Sequence, residues 1–381
     1  MITQIDIAGF RSIKDQKIPL KKFNILYGPN GSGKSSVMYA AYVMRNFFMN
    51  PNQRLNSLFN LGFINLGGFD NVVFNQDNSN PIILRLVSNM NLKIDLVLGD
   101  DSSVENEIVF SIDGDEIFIP IDFPFTASEK VDVTFGTNKF RWNGLTFEEI
   151  NYKELSVYSA SKLNVGYNSI KSVEVISVKR GFFSPIFSTE MDNNEESKFA
   201  LQVRDEGLDF DIKIDKYFSK LFNKNFRFVA VPGSNSFYLR THNKKGFTTD
   251  LVNEGFGVNQ TLYMLIKLLK KSTGLAFIEE PEIHLHPTAQ GKLVDVFAEI
   301  IKNENKQIFL TTHSENIVSS VLARIATGEL SRDDVQFYLA VNEDDETKII
   351  PQEVNEKGQI EGGMMNFMET ELSNLKSMLG I

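Results

Sequence analysis

Apolar and polar residues alternate at the start of the chain in a pattern typical of strands. Residues 2–10, ITQIDIAGF, alternate and predict a strand with one buried face. Residues 11–20, RSIKDQKIPL, are predicted to pair with it after a tight turn. The short apolar run FNILY, residues 23–27, predicts a buried strand, and residues 36–49, SVMYAAYVMRNFFM, predict a helix that ends before Pro51.

The middle of the chain has a different pattern. Between residues 70 and 180, runs such as PIILRLVS, LKIDLVLG and KVDVTFG are separated by Gly, Asp and Asn, which predicts an antiparallel β insertion. Residues 172–180, SVEVISVKR, predict a further strand that ends in a basic pair. Residues 188–198 predict a polar loop. Residues 208–224 predict a helix with one apolar face, and strand and helix then alternate to about residue 350, as a parallel sheet requires.

Composition excludes several classes of protein. With 381 residues, 42% of them hydrophobic, the chain is long enough for two or three lobes with a sizeable core. No run approaches eighteen apolar residues, and the first residues lack a basic region followed by an apolar run, so we expect no membrane contact and a cytoplasmic location. Zero cysteines exclude disulfides and thiolate sites, and a net charge of -10 does not indicate DNA as a partner.

A glycine-rich loop lies between the predicted strand 23–27 and the helix that follows. Gly28 to Ser35 reads G-P-N-G-S-G-K-S, the pattern of a phosphate-binding loop. Its glycines let backbone N–H groups approach phosphate oxygens, Lys34 reaches the terminal phosphates, and the Ser35 hydroxyl binds Mg²⁺. The alternative is a glycine-rich turn that matches the pattern by chance. Because the whole pattern is present between a predicted strand and a predicted helix, we favour an ATP and Mg²⁺ site. Its residues are Asn30, Gly31, Ser32, Gly33, Lys34, Ser35 and Ser36.

Two carboxylates follow another buried strand in GLAFIEEPEIHLHP, residues 274–287. Glu279 is predicted to bind the magnesium shell and Glu280 to orient and polarise the attacking water, because phosphoryl transfer depends on positioning and charge stabilisation. A solvated acidic strand end is the alternative. In KQIFLTTHSENI, residues 306–317, His313 also follows an apolar strand and is predicted to contact the γ-phosphate or the water. His284 and His286 lack an evident third metal ligand, so a structural or dimer-contact role is favoured.

Together these motifs resemble the SMC-like ABC-type ATPases. The segments that carry the resemblance occur in the family's order and are GFRSIKD, GPNGSGKSS, LVNEGFGVNQTL, FIEEPEIHLHP and TTHSE. The resemblance implies an α/β P-loop ATPase head with a mostly parallel core sheet, an antiparallel β lobe and a helical lobe. It divides the chain into a core part with the glycine loop (1–50), a β-rich insertion (51–185), a helical lobe (186–260) and the remaining core (261–381).

The resemblance also implies roles for individual residues. Glu279 becomes the metal-site acid, Glu280 the catalytic glutamate and His313 the switch histidine, while residues 282–286 match the D-loop that contacts the opposite subunit. Arg11 is expected to contact nucleotide phosphates. Residues 253–260, NEGFGVNQ, match the signature segment that caps the partner's γ-phosphate, with Asn253, Gly255 and Gly257 as contact positions. Glu279 stands where the family has Asp, and the customary signature serine is missing.

These roles predict an ATPase whose heads associate around ATP, as a homodimer or a higher homo-oligomer, and separate after hydrolysis, with ATP and Mg²⁺ as cofactors. The resemblance favours an ATPase or sensor subunit of bacterial anti-phage defence with a separate effector protein. A RecF-like DNA repair ATPase and a nearly inactive nucleotide-gated scaffold are alternatives. A stripe of lysines has two interpretations, a contact with a nucleic-acid phosphate backbone or a solvated helix face, and we favour the second. The stripe consists of Lys213, Lys216, Lys220 and Lys224. Near the end of the sequence, an apolar stripe is expected to dock on the head. It consists of Met364, Met368, Leu372, Leu375 and Leu379.

Overall fold

The structure is a computed structural model. It describes residues 1–89, 92–100, 104–112, 114–125, 130–135, 138–151, 160–188, 195–361 and 377–378. The residues of the predicted apolar stripe, Met364, Met368, Leu372, Leu375 and Leu379, lie outside the described residues.

Nineteen strands occur among the described residues: β1 (Ile2–Phe10), β2 (Ile13–Pro19), β3 (Phe23–Tyr27), β4 (Ile82–Ser88), β5 (Leu92–Leu98), β6 (Glu107–Ile112), β7 (Asp115–Pro120), β8 (Val131–Phe135), β9 (Asn138–Trp142), β10 (Phe147–Asn151), β11 (Val173–Ile176), β12 (Phe187–Ser188), β13 (Lys224–Ala230), β14 (Ser236–Asn243), β15 (Thr248–Asp250), β16 (Leu275–Glu279), β17 (Gln307–Thr312), β18 (Val335–Glu343) and β19 (Glu346–Gln352). The α-helices in the same part of the chain are α1 (Lys34–Met49), α2 (Phe69–Val72), α3 (Ala160–Lys171), α4 (Glu195–Asp205), α5 (Leu208–Phe222), α6 (Phe256–Leu269), α7 (Pro287–Asn303) and α8 (Glu315–Ala326).

A six-stranded sheet forms the centre of the fold, in the order β11-β16-β17-β3-β18-β19. All neighbouring pairs are parallel except β18 with β19. Both faces are covered, because Leu26 packs into one hydrophobic core and its neighbour Ile25 into the other. Burial on both faces explains why β3, β16 and β17 read as nearly continuous apolar runs. The predicted α/β class with a mostly parallel core sheet is confirmed.

The predicted antiparallel lobe is a second six-stranded sheet, in the order β2-β1-β4-β5-β6-β7. In β4 every second residue is buried, as expected when one face of a sheet packs on a core. The predicted pairing of β1 with β2 is confirmed, and β1 also pairs with β4 of the lobe. Strand β11 lies instead in the parallel sheet beside β16. The segments 1–50 and 51–185 therefore do not each correspond to one sheet.

A smaller antiparallel sheet lies beside the helices in the second half of the chain. Strands β12, β14 and β13 are neighbours in it, and β15 pairs with β14. The predicted alternation of strand and helix from residue 224 was wrong for residues 224–250, where consecutive strands pair directly through antiparallel contacts. The predicted apolar face of α5 is confirmed, since Ile214, Tyr217, Phe218 and Leu221 are all buried. No helix among the described residues combines the length and the apolar character needed to cross a membrane.

Candidate functional site

Three neighbouring strands of the parallel sheet end at the same edge. Strand β3 lies beside β17, and β17 beside β16, with Tyr27 level with Thr312 and Thr311 level with Glu279. Because parallel strands point the same way, the segments that follow β3, β16 and β17 all leave the sheet at this edge. The glycine loop, Glu280 and His313 each follow one of these strands.

The glycine loop, defined here as Gly28–Ser36, folds around the side chain of its own lysine. Gly28, Gly31 and Gly33 all have positive φ, which residues with a Cβ rarely adopt. The Lys34 ammonium donates hydrogen bonds to the carbonyl oxygens of Gly28, at 3.1 Å, and Pro29, at 2.8 Å. Burial lowers the pKa of Lys34 to about 8, although nearby carboxylates oppose this shift. The loop therefore holds one cation at the start of α1, where a phosphate is favoured.

The remaining loop residues differ in exposure. Asn30 and Gly31 are exposed, whereas Ser32 and Ser36 are buried. The Ser36 N–H donates to the Gly33 carbonyl at 2.9 Å and so belongs to the first turn of α1. Asn30 and Gly31 are thus accessible to solvent, whereas Ser32 and Ser36 lie in the packed part of the loop.

A Gly33→Ala variant is expected to lose more stability and more ATP affinity than Gly31→Ala. Both residues have positive φ, so alanine costs about 1–2 kcal/mol at either position. A Cβ on Gly33 would also lie 2.8 Å from Cγ2 of the buried Thr347, whereas one on Gly31 would meet nothing within 4 Å. Overpacking adds about 1–3 kcal/mol. Denaturant unfolding and ATP titration of both variants measure the difference, and equal losses would contradict the close packing against Thr347.

The first acid after β16 lies directly against the glycine loop. The Ser35 hydroxyl donates to Glu279 Oε1 at 2.5 Å, across 244 residues of sequence. Tyr39 donates to the same oxygen at 3.4 Å, and the Val178 N–H donates to Oε2 at 3.3 Å. Glu279 is 5% exposed. The longer glutamate side chain at the position where the family has aspartate thus reaches the serine.

The oxygens of Ser35 and Glu279 fit a magnesium ion. Mg²⁺ prefers oxygen ligands and binds through one or two carboxylates together with substrate phosphates and water. Among the described residues, no group of three or more His, Cys, Asp or Glu side chains could hold a metal ion. A cation at Ser35 and Glu279 would therefore complete its shell with the nucleotide and water.

Glu280 and His313 face each other at the same edge of the sheet. Glu280 Oε1 lies 3.6 Å from His313 Nε2. Burial raises the pKa of Glu280, as do the charges of Glu282 and Glu279. Burial and the charge of Lys34 lower the pKa of His313, which favours the neutral imidazole. A carboxylate with raised proton affinity beside a neutral imidazole is suited to orienting a water molecule.

Arg180 is a site residue that the sequence analysis missed. Its guanidinium donates to the backbone carbonyl oxygens of Glu279, at 2.6 Å, and Glu280, at 2.8 Å, and the side chain is only 2% exposed. Burial lowers its pKa to about 10, against the opposing charges of Glu282, Glu279 and Glu280. Glu280 has a positive φ of 43°, an unusual conformation for glutamate that the two contacts of Arg180 help to maintain. The basic pair after residues 172–178 was the available signal.

Glu282 connects the segment after β16 to His313. Its Oε1 accepts a hydrogen bond from the Thr312 hydroxyl at 2.6 Å and from the His313 N–H at 3.0 Å. Burial raises the pKa of Glu282. The start of the predicted D-loop segment, 282–286, is thereby fixed to His313. Within that segment, His286 Nδ1 accepts from the Thr288 N–H at 3.3 Å and caps α7, a structural contact.

Arg11 approaches the site from the turn between β1 and β2. Its guanidinium carbon lies 5.4 Å from the centre of the Tyr39 ring. The backbone N–H of Arg11 donates to the Val72 carbonyl at 2.5 Å. Burial lowers the pKa of Arg11, whereas Tyr39 and Glu279 act in the opposite direction. The guanidinium therefore lies within electrostatic reach of Glu279.

The signature segment, 253–260, lies at the start of α6. Asn253 and Gly255 are exposed, and Gly255 is the N-cap of the helix. Gly257 is buried, and a Cβ there would collide with the His284 carbonyl oxygen. The Phe256 ring, 59% exposed, lies 5.5 Å from the His284 ring. The signature and D-loop segments thus form one continuous surface.

The lysine stripe is paired with carboxylates. Lys213 contacts Glu304 at 2.7 Å, and Lys216 contacts Glu299 at 3.1 Å. Lys220 also contacts Glu299. Lys224 contacts Glu254 at 2.6 Å. These carboxylates neutralise the positive charge of the stripe, which binding to a nucleic-acid phosphate backbone would require.

Comparisons with known proteins agree with this architecture. A family model described as "AAA domain, putative AbiEii toxin, Type IV TA system" matches residues 23–319. A structure titled as the SmcHead bound to the C-winged helix domain of ScpA has a TM-score of 0.52 at 12% identity, covering 92% of this chain and 97% of that chain. The search of curated proteins gave no significant match.

Two further structures have lower TM-scores. The SMC head domain from Thermotoga maritima gives 0.47 at 12% identity, covering 93% of this chain and 99% of that one. An Smc head domain with an extended coiled coil, bound to the C-terminal domain of ScpA derived from Pyrococcus furiosus, gives 0.48 at 11% identity and covers 99% of each chain. The predicted resemblance to SMC-like ABC-type ATPases is confirmed by the family model and by the fold of the SmcHead structure.

Proposed function

We propose, on the premise that this chain belongs to the AAA ATPase family of the AbiEii type, that it binds ATP with Mg²⁺ and hydrolyses it. The observation that carries the proposal is the 2.5 Å hydrogen bond between Ser35 and Glu279. It joins the phosphate-binding loop to the acid of a neighbouring strand end, with Glu280 and His313 beside them. Phosphoryl transfer requires this combination of an anion site, a metal site and a group that positions water.

Each site residue has a distinct part in the proposed reaction. The glycine loop binds the phosphates through its backbone N–H groups, and Lys34 moves its ammonium from the loop carbonyls to the phosphate oxygens. Ser35 and Glu279 would hold Mg²⁺, which offsets the charge on the phosphates when bound. Glu280 orients the attacking water and accepts its proton, and His313 donates a hydrogen bond to the γ-phosphate.

The signature and D-loop surface supports a second part of the proposal, in which two heads associate around ATP. Asn253 and Gly255 are exposed at the amino end of α6, where a helix favours an anion. Phe256 adds an exposed apolar ring beside them. Glu282 links this surface to His313, so a partner at the surface would affect the group nearest the γ-phosphate. ATP would thereby favour the associated state and hydrolysis would release it.

The proposed biological role is that of an ATPase or sensor subunit in anti-phage defence, with a separate effector protein. It is supported by the resemblance to compact SMC-like ATPases and by the AbiEii-type family. The pairing of the lysine stripe with Glu299, Glu304 and Glu254 gives a DNA-binding role less support. The contact between Glu279 and Ser35 likewise weakens the case for an inactive scaffold, because the longer acid still reaches the loop.

Phosphate release from MgATP by the wild type and by Lys34→Ala tests the proposal. We expect steady release by the wild type and none above background by Lys34→Ala, since the loop cation is lost. Lys14→Ala, an exposed lysine on β2, is the matched control and should match the wild type. Light scattering during the same reaction should show ATP-dependent association of the wild type. Equal release by the wild type and Lys34→Ala would refute hydrolysis at this site.

A further inference from the structure

A pocket is lined by part of the loop 177–180, which also contacts the acids of the proposed ATP site. It is bounded by α1, α4, α6, β11 and residues 177–183, and its volume is about 560 Å³. This volume is within the range of about 300–1,000 Å³ typical of small-molecule sites. None of the residues of the glycine loop lines it.

The pocket is basic although the chain has a net charge of -10. Its cationic lining residues outnumber the carboxylates, Glu174 and Glu196, by three to one. The cations are Arg45, Lys179, Arg180, Lys198, Lys267 and Lys270. A pocket with this excess concentrates field lines that favour an anion.

Two of these cations lie close together in sequence: Lys267 is in the last turn of α6, and Lys270 is the C-cap that follows it. Lys267 contacts Glu174 at 3.2 Å, whereas the contact of Lys270 is with a neutral oxygen, Oε1 of Gln202, at 3.3 Å. Burial lowers the pKa of Lys270, Glu174 opposes this, and the charges of Lys267 and Arg45 lower it further. Nε of Arg45 is buried without a hydrogen-bond partner. The Lys270 ammonium and Nε of Arg45 can therefore each donate a hydrogen bond to an anion in the pocket.

Aromatic rings line the same pocket. The Lys270 ammonium lies 5.5 Å from the centre of the Phe199 ring, and the Tyr263 ring lies 4.8 Å from that of Phe199. Phe63 also lines the wall, and Phe183 is 52% exposed beside it. Flat rings next to cations suit a ligand that combines a planar base with a phosphate group.

We propose that this pocket, centred on Lys270, is a second ligand site that binds a mononucleotide, separately from the glycine loop. The phosphate contacts Lys270 and Arg45, and the base lies among Phe63, Phe199 and Tyr263. Bidentate and ammonium contacts to phosphate are charge-assisted and account for the affinity, while the rings select a planar base over inorganic phosphate.

The position of the pocket connects its occupant to the acids after β16. Ser177 and Arg180 line the pocket, and Arg180 also binds the carbonyl oxygens of Glu279 and Glu280. The Val178 N–H, between them in sequence, donates to the Glu279 carboxylate. A ligand here therefore contacts the same short loop that holds the proposed metal-site acid. This connection rests on the proposed ATPase function, whereas the binding site itself does not.

Equilibrium dialysis of AMP, GMP, CMP and UMP against the Lys34→Ala protein tests the proposal. This background removes the glycine-loop cation and so weakens binding there, and the comparison with Lys270→Glu then assigns the remaining binding to the pocket. We expect saturable binding of at least one of the four, with one molecule per chain. Lys270→Glu should weaken it at least about tenfold, because charge reversal replaces an attraction with a repulsion. Lys271→Glu is the matched control, since Lys271 lies next in sequence but outside the pocket, and it should bind normally.

Absence of saturable binding by all four monophosphates, or equal weakening by Lys270→Glu and Lys271→Glu, would overturn the proposal. Circular dichroism checks that each variant is folded, and Lys270→Gln replaces Lys270→Glu if the latter unfolds. Because the assay uses Lys34→Ala and no ATP turnover, it gives its answer even if the wild type hydrolyses no ATP. Conversely, an active wild type with no monophosphate binding would refute the second site and leave the ATPase proposal intact.

Discussion

Replacing Glu280 with glutamine should reduce ATP hydrolysis by about 10²–10⁴-fold, the range typical of a lost general base. Glutamine keeps the size of the side chain and its reach towards His313, 3.6 Å away, but it accepts no proton at neutral pH. The backbone contact of Arg180 with residue 280 is unaffected, because it involves the carbonyl oxygen. ATP binding should therefore be retained, and the ATP-associated form of two heads should accumulate. Phosphate release and sedimentation with MgATP measure both effects.

The matched control for this variant is Glu329→Gln, at an exposed position after the end of α8. It makes the same chemical change and should hydrolyse ATP at the wild-type rate. A Glu280→Gln protein with wild-type turnover would refute the assignment of Glu280 as the residue that activates water. Loss of ATP binding together with turnover would instead indicate that Glu280 shapes the nucleotide site.

The parallel sheet and its site could be predicted because their signals are local. A short apolar run followed by glycines, as in residues 23–33, specifies both a buried strand and the loop after it. Chain direction then places the ends of β3, β16 and β17 at one edge, although the sequence shows neither their order nor their register. The contact of Ser35 with Glu279 required the structure.

Long-range partners could not be predicted, for a physical reason. Alternation in residues 2–10 shows that one face of β1 is buried, but not that β4 is its second neighbour. Residues 224–250 have polar and apolar residues that fit a strand in either kind of sheet, and the antiparallel pairing appears only in the fold. Arg180 lies 99 residues from Glu279 in sequence, and nothing near it indicates that its donors face two backbone carbonyls.

Arg180→Met is expected to destabilise the protein by about 3–5 kcal/mol, the usual cost of removing one partner of a buried charged group. Methionine keeps much of the volume but leaves the carbonyl oxygens of Glu279 and Glu280 without these donors. It also removes the cation that opposes the charge of the buried Glu282. Denaturant unfolding measures the loss. Arg332→Met, at a half-exposed arginine whose contact with Glu356 is 3.8 Å long, should change stability by less than about 0.5 kcal/mol.

The pH dependence of this loss separates an electrostatic role for Arg180 from simple packing. Arg180 lowers the pKa of both Glu280 and Glu282, whose pKa values are already raised above the ordinary 4.5, so removing it raises them further. A carboxyl group with a raised pKa in the folded state stabilises the fold when protonated, and this contribution is lost as pH rises through that pKa. The deficit of Arg180→Met should therefore be smaller at about pH 5 than at about pH 8. A deficit of equal size at both pH values would mean that Arg180 acts only through its packing and its hydrogen bonds to the two carbonyl oxygens, because neither depends on the charge of Glu280 or Glu282.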